Sequence, residues 1–108
     1  MFTANNLLGL SYFTVLHYDK AADEYEIQSN NTKHCWHLIP YGAGYDLMHK
    51  HHMEDKYHYQ TSFGNLFDAI LDIVDHDEYQ LRGRKPVKHE WELKNSYFDV
   101  LIKEYGLT

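Results

Sequence analysis

Thr61-Ser62-Phe63-Gly64-Asn65-Leu66-Phe67-Asp68-Ala69-Ile70-Leu71-Asp72-Ile73-Val74 is where the chain changes period. Phe63, Leu66, Phe67, Ile70, Ile73 and Val74 fall at the i, i+3, i+4, i+7 spacing of a helix with one apolar face. Thr61 and Ser62 stand before it as N-cap residues. Upstream, the pattern alternates every second residue instead. Leu10 to Tyr18 is a β-branched and aromatic run, and Glu24 to Gln28 sets Tyr25 and Ile27 on one face and acids on the other. These two strands, joined through Asp19 to Asp23, form a first hairpin. After the loop Ser29-Asn30-Asn31-Thr32, Lys33 to Pro40 alternates again, Tyr41-Gly42-Ala43-Gly44 turns the chain, and Tyr45 to Met53 returns as the second hairpin. A short extended piece at Tyr57 to Gln60 follows. Downstream of the helix, a charged connector from Tyr79 to Lys88 leads to a second helical pattern of Trp91, Phe98, Leu101, Ile102 and Tyr105, closed by Gly106. Strands first and helices last predict an α+β fold: an antiparallel sheet of about four strands in two hairpins, then two helices packed on one of its faces.

The 108 residues suit a single domain spanning 1–108, and 44% hydrophobic content is too high for a disordered chain. No apolar run approaches the ~18 residues that span a bilayer, and Met1-Phe2-Thr3-Ala4-Asn5-Asn6 lacks the basic start of a signal peptide. A single cysteine allows no internal disulfide, so a reducing, cytoplasmic setting is expected and a membrane partner is not. Sixteen acidic against ten basic side chains give a net charge of -6, which protonation of all nine histidines would turn to +3. The charge should therefore cross zero in mildly acidic solution.

Six of those histidines and Cys35 lie between Lys33 and His58. Alternation puts Cys35 with His37 on one face, and His49 with His51 on one face of the returning strand. If Gly42-Ala43-Gly44 is a three-residue loop, Tyr41 faces Tyr45, His37 faces His49 and Cys35 faces His51. Four ligands would then converge, Cys35, His37, His49 and His51, in a set suited to tetrahedral zinc, with nickel or copper as substitutes, and with His58 or His52 completing the coordination if the two strands splay. With a two-residue turn, Tyr41 pairs with Gly44, His34 with His51, and Trp36 faces His49, which breaks that set. A metal here would staple a hairpin of a small domain. Alternatively it would serve a metal-dependent hydrolase or metal-handling protein, with Glu54 or Asp55 as the nearest base.

On the first helix Asp68, Asp72 and Asp75 recur at i, i+4, i+7, and Asp77 and Glu78 extend the stripe. Like charges so spaced, near a helix C-terminus, oppose the fold, so a protein partner with a basic surface is their natural complement. Arg82, Arg84, Lys85 and Lys88 form a short basic segment between Tyr79 and Trp91, which supports a further alternative, a nucleic-acid binder. No catalytic string or nucleotide-binding motif is present. In size and charge, though not in sequence, the chain resembles the small inhibitors of phages and mobile elements, the anti-CRISPR and anti-restriction proteins among them. That resemblance implies a non-enzymatic protein that occupies the surface of a larger, basic nucleic-acid enzyme.

Overall fold

The computed structural model describes residues 2–89, 91, 93 and 96–106. A five-residue helix, α1 (Ala4–Leu8), is capped by Thr3, whose hydroxyl accepts from the Asn6 N–H while the Asn6 side chain accepts from the Thr3 N–H. Five strands follow, β1 (Phe13–Asp19), β2 (Glu24–Ser29), β3 (Cys35–Tyr41), β4 (Gly44–Lys50) and β5 (His58–Phe63), then helices α2 (Leu66–Leu81) and α3 (Tyr97–Tyr105). The strands pair antiparallel in chain order, β1-β2-β3-β4-β5. The α+β class and the two C-terminal helices are as the sequence predicts, with five strands rather than about four.

The differences have local causes. Thr61 and Ser62 have the chemistry of caps, yet they pair with Leu47 and Asp46, so β5 runs on through Phe63. The helix starts after Asn65, whose side chain accepts from the Asp68 N–H at 2.9 Å. Trp91 is 64% exposed and outside α3, which begins only where the Ser96 hydroxyl accepts from Asp99 N–H.

Tyr25 and Ile27 of β2, Trp36 and Leu38 of β3, and Leu47 of β4 are fully buried on the sheet face that receives Ala69, Ile70, Ile73 and Val74 of α2. Each large side chain so buried contributes about 1.5–3 kcal/mol, which is what docks the amphipathic helix. This packing fixes the β3–β4 register. Leu38 faces Leu47, Trp36 faces His49, His37 faces Met48, Cys35 faces Lys50 and Tyr41 faces Gly44. The turn therefore has two central residues. Gly42 takes the left-handed position at φ 59 and Ala43 does not, the backbone of a II′ turn. Gly44 is needed for a different reason: a Cβ there would lie 2.0 Å from the carbonyl oxygen of Phe63 on β5. Gly44→Ala must push β4 and β5 apart, and we expect a loss of about 2 kcal/mol in urea unfolding. An unchanged midpoint would show that the strands separate freely at this end.

Candidate metal centre

The register that buries Leu47 beside Trp36 also decides which histidines meet. His49 lies on the helix-facing side of β4, between Trp36 of β3 and His58 of β5. Its ring stacks on the Trp36 indole at 4.2 Å between centroids, and His76 of α2 stands edge-on to the same indole at 5.1 Å. His34, just before β3, stacks on His51, just after β4, at 4.4 Å and 13°. Four chain segments thus bring His34, His49, His51, His58 and His76 to one end of the sheet, under the second half of α2.

His34 Nδ1 and His49 Nε2 are 3.0 Å apart, and His49 Nδ1 lies 3.4 Å from His58 Nε2. One nitrogen each from His34, His49 and His51 fall within 4.8 Å of one another. A second trio meeting the same limit, His34, His76 and Asp77, shares His34 with the first. Zinc–nitrogen bonds of about 2.0–2.1 Å set ligand nitrogens about 3.4 Å apart in a tetrahedron, a spacing the first trio reaches by small side-chain movements.

Burial favours the neutral form of His34, His49 and His76. His34 and His49 are buried, 7% and 2% exposed, while His51 and His58 face solvent. Burial pushes His34 down to about 4, with His51 and His76 adding to the effect. It pushes His49 down to about 3, with His76 and His34 next in weight. His76 is lowered by burial too, against the opposing pull of Asp77 and Asp72, and its Nδ1 is buried without a hydrogen-bond partner. Neutral imidazole is the form that binds metal.

Of the four ligands expected on the hairpin, His49 and His51 come together and Cys35 and His37 do not. A two-residue turn places Cys35 and His37 on the opposite face of the sheet. There the Cys35 thiol is fully buried, 3.7 Å from Met53 Sδ, and burial raises its pKa against the influence of Lys50. His37 Nε2 is 2.5 Å from Glu24 Oε1. His34 replaces them, and the signal for it was the pairing of His34 with His51 that the shorter turn implies. His76 had no such signal, because its position depends on how α2 docks.

The acidic stripe is shorter than its sequence. Asp68 and Asp75 are exposed and Asp72 is half-buried, its carboxyl raised by burial and by Asp75. Asp77 points inward instead, fully buried, because it continues the apolar face of Ile70, Ile73 and Val74 at i+7, i+4 and i+3. Glu78 Oε1 accepts the Phe98 N–H at 3.2 Å and so serves the first turn of α3. In the basic segment Arg82 Nε donates to Lys85 O and Arg84 Nε to Gln80 Oε1, so both arginines fold back on their own connector. Among the described residues, no helix is long and apolar enough to cross a membrane. Comparison of the chain with protein-family models, with curated proteins and with solved structures gave no match.

Proposed function

We propose that this is a non-enzymatic binding protein with a first-row transition-metal site at His34, His49 and His51, zinc being its natural occupant. The observation that carries this reading is the convergence of three imidazole nitrogens within 4.8 Å, two of them from buried rings. Three neutral nitrogens suit zinc, nickel, copper and cobalt far better than calcium or magnesium, which take oxygen ligands. The ligands come from the two ends of the β3–β4 hairpin, so a bound ion would clamp together residues 17 positions apart in sequence. That is a structural use of a metal in a small domain.

Protein made without a histidine tag should carry about one zinc per chain by elemental mass spectrometry, after dialysis against trace metal. His51→Ala is the variant of choice, because His51 is exposed and its loss leaves the core intact. Affinity should fall by more than the 10- to about 100-fold that an outer-shell change costs. Folded protein that takes up no metal would end this reading.

The outer side of α2 favours a second one. Asp68, Asp72 and Asp75 remain there without a basic residue on the same turns, and a partner with a basic surface, such as a larger nucleic-acid enzyme that the protein inhibits, would complement them. Changing the three to asparagine should slow association with such an enzyme. Equal binding by both forms would take the stripe out of the interface.

A further inference from the structure

His49 is engaged on both sides of its ring. Nε2 meets His34 Nδ1, and Nδ1 meets His58 Nε2. The two nitrogens of an imidazole point outward in divergent directions, so His58 stands behind the ring, away from the trio. It therefore cannot ligate the ion that His49 Nε2 would hold. What it can do is accept the Nδ1–H of His49, fixing the tautomer that leaves the Nε2 lone pair free for metal.

The other nearby ligand types are also accounted for. His76 lies beside His49, 4.9 Å between ring centroids, but its nitrogens do not join the three of the trio within their mutual 4.8 Å. Asp77 is occupied by the hydroxyls of Tyr12 and Thr32. Cys35 is on the far face of the sheet. Among the described residues, then, the trio has no fourth protein ligand within the same reach, and its third member, His51, opens to solvent. Imidazoles bring no charge, so a dication held by three of them keeps its full +2 in a half-buried setting. An anion in the remaining position is favoured over a neutral ligand.

From this we infer that the loaded His34, His49 and His51 site keeps a fourth coordination position facing solvent and binds a small monoanion there, of the carboxylate or azide kind. The inference rests on the metal reading above and deepens it: the ion that clamps the hairpin ends keeps one position open as a receptor for a small anion.

Cobalt(II) tests both parts, because its visible bands report the ligand set directly. Tag-free protein loaded with cobalt is titrated with acetate and with azide. The bands should shift and saturate at one anion per cobalt, and His76→Ala should behave as the parent does. His58→Ala should weaken cobalt binding by about 10- to 100-fold, yet keep the anion response once loaded, as expected of a residue that orients a ligand without being one. Bands unmoved by either anion would overturn the open position, and a response appearing only in His76→Ala would identify His76 as the ligand that closes it. Failure to take up cobalt at all would remove the metal reading itself.

Discussion

Asp77→Ala is expected to lower the stability of this protein by about 3 kcal/mol, enough to move its thermal midpoint down by roughly 12 °C. The carboxylate is fully buried, yet it sits at the joint of three elements. Its Oδ2 accepts the Tyr12 hydroxyl at 2.7 Å, from the segment that leads into β1, and its Oδ1 accepts the Thr32 hydroxyl at 2.9 Å, from the β2–β3 loop. Burial raises its pKa, while the hydroxyls of Ser29, Tyr12 and Thr32 and the nearby His76 pull it back. Tyr12 is held protonated by burial and by Asp77, so it stays a donor across the accessible pH range. Two effects therefore compete. Removing a buried carboxyl recovers its desolvation cost, but alanine strands the Tyr12 and Thr32 hydroxyls and leaves a void, and stranded partners dominate when only one side of a network is removed. Tyr12→Phe deletes one bond and should cost about 1 kcal/mol. If Asp77→Ala and the parent unfold at the same urea concentration, the hydroxyls are satisfied by water and the carboxylate ties nothing together.

The fold was legible where periodicity is long and uniform. The change of period after residue 60 placed α2, and alternation placed the strands of both hairpins. It failed where one residue type serves two purposes. Glycines at 42 and 44 allow two turn lengths, since either can take a left-handed position. Gly44 is there for the close approach of Phe63, a tertiary reason that no turn rule contains. The register was nevertheless decidable. Pairing Tyr41 with Tyr45 would have turned Leu47 away from the face of Trp36 and Leu38, and burial of all three on one side requires Tyr41 to face Gly44. That single step exchanges Cys35 and His37 for His34 as neighbours of His51. Asp77 was equally readable, because residues 70, 73, 74 and 77 share a helix face, but a stripe drawn through charges alone overlooks which side they are on. His76 and His58 needed the folded structure, since nothing in their own segments reveals that the first docks beside Trp36 and that the second meets His49 across a bulge between Leu47 and Met48.

The same cluster should make the metal-free protein acid-sensitive. His34 and His49 are neutral in the folded state down to about 4 and about 3, whereas in the unfolded chain they titrate near the ordinary 6.5. A folded pKa below the unfolded one means stability that is fully present above 6.5 and is lost as the pH falls through the folded value. Over that window the unfolded chain takes up protons that the folded one refuses, at about 1.4 kcal/mol per proton per pH unit. By pH 4.5, still above both folded values, each of the two histidines therefore withdraws on the order of 3 kcal/mol. His76, also lowered, adds to the loss. Asp72 and Asp77 act in the opposite sense. Their raised pKa values give stability that is present in acid and lost as the pH rises through the folded values, so they return part of the loss on acidification. Three imidazoles against two carboxyls leave a net fall from pH 6.5 downward. With a chelator present, the urea midpoint should hold steady between pH 8 and about 7 and then drop progressively toward pH 4.5. His49→Leu, which keeps the volume and removes the largest of these shifts, should flatten the slope by about one proton. A midpoint that stays level across the whole range would mean that the imidazoles gain protons in place, by opening to water, and that the cluster is not packed as tightly as its 2% exposure at His49 implies.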